Sequence, residues 1–219
     1  MSHIIFNGPP GSGKDEACHF LKTNYGYKHL EIKQQLFVDT VEYYGVDLDW
    51  FMSNYNTRLE KERARPELGG ISKREALIHV SENIMKPKYG KDYYGYKTAE
   101  AMDCVSRYCL SDGGFVEEVL PIINNVGQDN ICIVQLYRNG CSFSSDSRNY
   151  IYGNLVERFG FPWYIDQKSL CQTEPQIPIR MYEIHNEASV SDFHQIIRKI
   201  LRKEANATTK ISDLSRKSV

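Results

Sequence analysis

Apolar and polar positions along the chain switch between a short-run and a helical pattern. Ile4-Ile5-Phe6 is a brief apolar run ending in a Gly/Pro cluster, which predicts a buried parallel strand running into a loop. Residues 14–24 then place Ala17, Phe20 and Leu21 on one helical face. Leu36, Phe37, Thr40, Val41 and Tyr44 repeat at helical spacing, with Gly45 as the predicted stop. Residues 46–70 are polar, aromatic and charge-rich and close with Pro66 and Gly69-Gly70, so they read as an irregular or helical insertion outside the sheet. Ser72-Lys73-Arg74-Glu75 matches a capping box, and Ala76, Leu77, Val80 and Ile84 continue the helix behind it.

A further helix is predicted over 92–107, and Tyr108-Cys109-Leu110 reads as a strand ending at Ser111-Asp112-Gly113-Gly114. Residues 115–126 look helical, and Ile131 to Leu136 is the clearest strand in the chain. Residues 139–180 show little periodicity: a Ser/Asn-rich loop, a helix near 147–159, and a Pro-containing connection. Met181 to Ile184 is a last strand, and Ser189 caps a helix with Val190, Phe193, Ile196, Ile197, Ile200 and Leu201 along one stripe. The Ala/Thr/Ser/Lys-rich tail, 205–219, is expected to be disordered. Strands and helices alternate, so the architecture expected is α/β with a parallel sheet.

Composition narrows the class. The 219 residues, 41% hydrophobic and 25% charged, suit one globular domain and exclude a fibrous or disordered chain. Lys plus Arg number 27 against 28 Asp plus Glu, so no basic excess points to nucleic acid. The longest apolar stretches fall far short of the roughly 20 residues that span a bilayer. The first residues, Met1-Ser2-His3-Ile4, lack a basic region leading into an apolar one, and a cytoplasmic location is expected. Six cysteines, at 18, 104, 109, 132, 141 and 171, form no CxxC and read as reduced thiols.

The strongest chemical signal is Gly8-Pro9-Pro10-Gly11-Ser12-Gly13-Lys14, a G-x-x-x-x-G-K sequence directly after the first strand and before the first helix. Glycines let the backbone curl tightly and turn several N–H groups onto phosphate oxygens. The helix N-terminus adds its positive dipole end, and the lysine ammonium reaches the β and γ phosphates. The expected ATP contacts are therefore Pro10, Gly11, Ser12, Gly13, Lys14, Asp15 and Glu16. Asp15 stands where a hydroxyl residue usually ligates Mg²⁺; it either holds the cation itself or favours the helix N-terminus electrostatically.

Other residues qualify as acceptor contacts. Arg58, Arg63, Arg65, Lys73 and Arg74 cluster in or beside the insertion. Arg74 would lie in the first turn of a helix, where the dipole disfavours a cation unless an anion is bound there. It is thus a candidate acceptor-phosphate contact, with Arg65 and Lys33 as further acceptor-site candidates. Asp112 lies at a predicted C-terminal strand end, where open α/β sheets bind ligands, and could organise Mg²⁺ or an acceptor group or simply form a turn. Asp112-Gly113-Gly114-Phe115 does not complete a D-x-x-G, and no N/T-K-x-D occurs, so a guanine-reading switch protein is excluded.

Several segments together resemble the phage-type deoxynucleoside monophosphate kinases, within the nucleoside monophosphate kinase-like P-loop fold. The loop ends in Gly-Lys-Asp, a variant shared with these enzymes and with phosphomevalonate kinases. Ser72-Lys73-Arg74-Glu75-Ala76-Leu77 through Gly90-Lys91-Asp92-Tyr93-Tyr94 is similar to the family's Arg-Glu-Leu-Leu helix start and later Gly-x-Asp-aromatic. Ser111-Asp112-Gly113-Gly114-Phe115 with Glu118 resembles its strand-end Asp before x-Arg-Phe and an acidic helix, and Ile184-His185-Asn186-Glu187-Ala188-Ser189 resembles its closing turn. The segments span most of residues 3–202 in the family's order. The chain departs from the family at Gly113-Gly114, where an arginine often precedes Phe, and at Glu16, where Thr is common.

The resemblance implies a three-layer P-loop NTPase fold with a central five-stranded parallel sheet, covering residues 1–204. A helical acceptor-binding insertion would occupy 46–105, and a lid with its connection 139–180. It implies Mg²⁺-dependent transfer of the ATP γ-phosphoryl to a deoxynucleoside monophosphate, with small-molecule nucleotides as partners, a possible homodimer and, for a phage-encoded chain, the host cytoplasm. It further implies Arg148 as a lid arginine reaching the transferred group, catalytic with Lys14 and Asp112. Asn186 would lie beside the adenine, and Arg138 would contact the donor or anchor its loop. A kinase of another phosphorylated metabolite, such as phosphomevalonate, and a non-catalytic nucleotide-binding module remain the alternatives.

Overall fold

In the computed structural model, residues 2–53, 55, 57–144, 147–151 and 179–217 are described, with side chains to Ala207. The elements in chain order are β1 (His3–Asn7), α1 (Lys14–Tyr25), β2 (Lys28–Leu30), α2 (Lys33–Tyr44), α3 (Leu48–Met52) and α4 (Arg58–Glu62). They continue with β3 (Ala64–Arg65), β4 (Ile71–Ser72), α5 (Lys73–His79), α6 (Lys86–Tyr89), α7 (Tyr93–Glu100) and β5 (Tyr108–Leu110). The chain closes with α8 (Val116–Val126), β6 (Ile131–Tyr137), β7 (Arg180–His185) and α9 (Val190–Lys217).

Five strands form one parallel sheet in the order β2-β5-β1-β6-β7. The most apolar run near the start of the chain therefore sits in the middle, with Ile4 in register with Cys109 of β5 and Cys132 of β6. The period-two alternation of a strand divides its side chains between two layers. Ile4 and Phe6 face Ala17 and Leu21 of α1 and Phe193 and Ile197 of α9. Ile5, between them, joins Tyr94 of α7 and Val119, Ile122 and Ile123 of α8 on the opposite side. Each fully buried aliphatic or phenyl side chain contributes roughly 1.5–3 kcal/mol. The result is the three-layer α/β sandwich expected from the alternation of elements.

The insertion has a core of its own, built from Phe37 and Val41 of α2, Phe51, Leu68, Ala76 and Leu77. Its 46–70 stretch folds as the short helices α3 and α4 and the antiparallel ribbon β3–β4. The capping box forms as predicted: Ser72 Oγ accepts from the Glu75 amide, and the Glu75 carboxylate accepts from the Ser72 amide. Behind α5 the chain passes through a π-helical segment, Val80–Met85, with the Lys86 amide bonding Ser81 O five residues back. Pro87 lacks an N–H and cannot continue an α ladder, which accounts for the widened turn just before it.

Two expectations are corrected. The helix predicted over 92–107 stops at Glu100, because Asp103 accepts from the amides of Val105 and Ser106 and folds that stretch into a side-chain-capped turn. A further expectation concerns the tail, where α9 continues to Lys217 through a stretch from 205 to 217 that holds neither Gly nor Pro; this helical course does not test the disorder expected of 205–219. No helix begins at 147, since residues 147–151 run without a helical turn; the rest of that predicted helix and most of the 139–180 lid segment lie outside the described residues. Among the described residues no helix is long and apolar enough to cross a membrane.

The far edge of the sheet is secured by an ionic cluster. Arg180 of β7 donates through Nε to both carboxylate oxygens of Glu204 of α9, at 2.9 and 3.1 Å, and through Nη2 to Ser2 and Asp129. Burial alone would raise the Glu204 carboxyl, but Arg180, Ser2 and Tyr182 hold it below its ordinary value. Removing one member of such a pair leaves the other charge buried and uncompensated. Glu204→Ala is accordingly expected to cost about 3 kcal/mol in urea unfolding, and a loss within experimental error would show that this cluster does not anchor α9.

Candidate active site

The loop between β1 and α1 leaves the centre of the sheet at its C-terminal end, flanked by β5 on one side and β6 on the other. Its glycines answer to crowding. A Cβ on Gly8 would lie 2.6 Å from Leu136 O, and one on Gly13, whose φ is +106°, would lie 2.6 Å from Asn186 Nδ2. Asn186 in turn donates to Ser12 O at 2.9 Å, and its own amide bonds Tyr137 O. Lys14, 8% exposed, donates through Nζ to Pro9 O at 2.7 Å and holds the loop closed. Ser12 Oγ is buried and has no hydrogen-bond partner among the described residues. A buried orphan hydroxyl and a cradle with no room for side chains fit a polyphosphate, whose oxygens would satisfy such donors.

Other predicted donor contacts sit around this loop. Arg138, directly after β6, donates to Gly11 O at 3.2 Å. Pro10 is exposed on the loop, while the Glu16 carboxylate turns away to His194 Nε2 of α9 at 2.8 Å. Asp15 is exposed and shares a ligand-sized cluster with His29 and Glu31, all offering atoms within 4.8 Å of one another. Two carboxylates beside a phosphate loop suit a hard cation such as Mg²⁺. Sequence reasoning missed His29 and Glu31; their i, i+2 spacing at the end of β2 was the available signal.

Asp112 has a different surrounding from the one expected. Its two oxygens accept from the Ile32 and Lys33 amides at 2.9 and 3.0 Å, capping the start of α2. It is not part of the three-residue cluster with Asp15. Burial raises its carboxyl, against the opposing pull of Lys33 and those amides. Lys33 is itself paired with Glu31 at 2.7 Å and lies near Asp15 and Asp112.

Beside the loop opens a cleft of about 390 Å³. Lys33, Arg74, Asp112 and Arg148, four of the predicted catalytic or acceptor residues, line it together. So do Lys86 and Glu82, which the sequence did not single out, Glu118, which it named only as part of the family pattern, and the apolar Leu36, Tyr55, Leu77 and Phe115. Arg65 is not there: on β3 it pairs with Glu60, which neutralises it locally. The neighbouring Lys73 is buried under Trp50 and donates to Ser53 O at 2.7 Å. Arg58 and Arg63 form exposed pairs with Glu62 and Glu60.

Glu118, on α8, is a second acid of the cleft whose carboxyl is raised, beside Asp112. Burial pushes its carboxyl up to about 7, countered by Lys86 at 3.7 Å and reinforced by Asp112 and Glu82. Lys86 also bonds Glu82 at 2.7 Å and lies over the Phe115 ring.

No protein-family model matches the chain, and no curated protein matches it. Among solved structures, a gluconokinase from Sinorhizobium meliloti aligns at 16% identity and a TM-score of 0.46, covering 98% of this chain and 97% of that one. A sugar kinase from Janibacter sp. aligns at 15% identity and a TM-score of 0.40, covering 92% and 93%. At these scores neither activity nor substrate passes from those proteins to this chain.

Two outcomes test this geometry. Gly13→Ala forces a side chain into left-handed backbone and displaces Asn186, so it should cost about 1–3 kcal/mol of stability and weaken ATP binding at least about tenfold by calorimetry. For Glu118, a folded-state value raised from 4.5 to about 7 means the folded chain binds the proton more tightly than the unfolded one. Its contribution is present below pH 4.5 and is lost as pH rises through 7, by up to about 3 kcal/mol. Glu118→Gln should therefore gain about 1–3 kcal/mol relative to wild type between pH 5 and pH 8 in urea unfolding, and a pH-independent difference would contradict the raised value.

Proposed function

We propose that the chain is a P-loop kinase that transfers the γ-phosphoryl group of ATP to the phosphate of a deoxynucleoside monophosphate. The observation that carries this reading is the cleft itself. Beside the phosphate loop, Arg74 from the first turn of α5 and Arg148 from a distant segment line one cavity with Lys33 and Lys86. Guanidinium groups match phosphate with two parallel hydrogen bonds, and a dianion is what such a set would neutralise. The apolar Leu36, Tyr55, Leu77 and Phe115 offer flat surface for a base.

The chemistry asks for placement. A monophosphate is largely ionised at neutral pH, so its oxygen attacks the γ-phosphorus without a general base. The bond from that phosphorus to the bridging oxygen breaks, and ADP leaves with the electron pair. Loop amides and Lys14 hold the donor phosphates, and Arg74 and Arg148 hold the acceptor in line. Bound Mg²⁺ would neutralise charge on the donor oxygens, and Asp15 and Glu31 would be the carboxylates to hold it. Asp112 keeps α2 and Lys33 in position from beneath.

Glu118 favours a second reading. An acid with a value near 7 inside the cleft is suited to take a proton from a hydroxyl acceptor, as on a sugar. A coupled ADP assay separates the two. With ATP and Mg²⁺, turnover is expected on one or more deoxynucleoside monophosphates and none on gluconate or phosphomevalonate; the reverse pattern would overturn the assignment. Lys14→Ala should lower that turnover at least about a hundredfold, and retained activity would remove the loop from the mechanism.

A further inference from the structure

Residues 147–151 form neither helix nor strand, yet they are tied to the sheet by a set of buried side chains. Asn7, the last residue of β1 and fully buried, donates through Nδ2 to Gly113 O at 2.8 Å and to Asn149 O at 3.0 Å. Its Oδ1 accepts from the Ile151 amide at 2.7 Å. Gln135, its register partner on β6, donates to Ile151 O at 2.7 Å. Two adjacent side chains thus satisfy both backbone groups of Ile151, as a neighbouring strand would. The Asn149 amide donates to Gly114 O at 3.1 Å, and Tyr150 bonds Leu136 O and stacks on Tyr137.

Arg148 lies between these anchors. Its side chain runs flat over Gly114: a Cβ placed there would be 2.7, 2.8 and 2.9 Å from Arg148 Cδ, Cβ and Cγ. Gly114 does not have a left-handed φ, so its backbone would accept alanine. The glycine is required by the arginine crossing it. An unconstrained arginine loses substantial rotamer freedom on binding a ligand, and fixing the backbone on either side and the stem beneath lowers that loss.

We infer that Asn7 and Gly114 are positioning residues that hold Arg148 in the acceptor cleft before any ligand arrives, so that the acceptor phosphate meets a preset guanidinium. This rests on the kinase reading above and adds that the acceptor site is complete without the donor nucleotide. Asn7 then acts at both substrates' boundary, since the phosphate loop begins at the next residue, Gly8.

The test is steady-state kinetics with ATP and the four deoxynucleoside monophosphates on wild type, Arg148→Ala, Gly114→Ala and Asn7→Asp, with acceptor binding by calorimetry in the absence of ATP. Asn7→Asp keeps the volume and the acceptor oxygen and removes the two N–H donors. The acceptor KM should rise at least about tenfold in all three variants, while the KM for ATP stays within about twofold. Gly114→Ala combined with Arg148→Ala should be no worse than Arg148→Ala alone, because both act through one contact. Wild-type protein should bind the acceptor without ATP. A normal acceptor KM in Gly114→Ala, full additivity in the double variant, or acceptor binding only after ATP each overturns the inference. If the variants fail to fold, acceptor binding to wild type only after ATP still overturns the inference. Wild type without turnover on any of the four acceptors overturns the kinase reading and this inference with it. Turnover with unaltered variant kinetics overturns the inference alone.

Discussion

The absence of room around one turn governs the arrangement of this molecule. Between β1 and α1 the backbone passes so close to Leu136 O and Asn186 that methyl groups at Gly8 and Gly13 would collide with them. That crowding follows from sheet order. Because β1 is the third of five strands, its outgoing loop has β5 and β6 beside it and cannot relax outward. The same centrality gives the loop two different neighbours. Arg138 and Asn186 reach it from the β6–β7 side, whereas Asp112, Lys33 and the cleft belong to the β5–β2 side. A ligand on the loop amides would therefore stand between two chemically distinct walls.

The cleft wall is charged in a particular way. Lys86 lies close to Glu118 and bonds Glu82, and Lys33 bonds Glu31, so both ammonium groups already have internal carboxylates. In a low-dielectric recess such pairs are costly to form and costly to break. They tune the local potential without leaving the site a bare cation. Glu118 shows the strain: desolvation wins over Lys86 and lifts its carboxyl toward neutrality. An anionic ligand would add positive-seeking charge to this balance, and a proton on Glu118 would reduce the repulsion.

Much of this was legible in the sequence, though unequally. The loop was readable because glycines, a lysine and a preceding apolar strand lie within a dozen residues, and local chemistry fixes their meaning. The capping box at Ser72 and the helix stop at Gly45 were readable for the same reason. The tail's Ala/Thr/Ser/Lys composition, suggestive of disorder, also lacks any helix breaker, so composition alone reads it both ways. The 92–107 helix was overextended because the Asp103 side chain ends it, an interaction spread over three residues with no apolar signal. Asp112 was foreseen as a metal-organising, acceptor-group or turn residue from its place at a strand end, which it occupies. The pattern could not show that α2 would begin directly above it and engage both oxygens. Asn7 escaped notice, and Gly114 registered only as a departure from the family pattern, because their partners lie 142 and 34 positions away, beyond the reach of any local periodicity.

The basic cluster of the insertion illustrates how the fold sorts residues that a sequence can only group. Lys73 and Arg74 are adjacent, and on a helix adjacent side chains diverge by about 100°. The capping box sets where the helix starts, and hence which way each points. Lys73 turns into the insertion core, where burial lowers its ammonium and the carbonyls of Trp50 and Ser53 receive its protons. Arg74 turns to the cleft. Starting the helix one residue later would carry Arg74 round to the direction Lys73 takes, its planar fork against Trp50, and bring Glu75 to the cleft in its place. Ser72 and Glu75 therefore determine that a guanidinium lines the cleft, although neither lines the cavity.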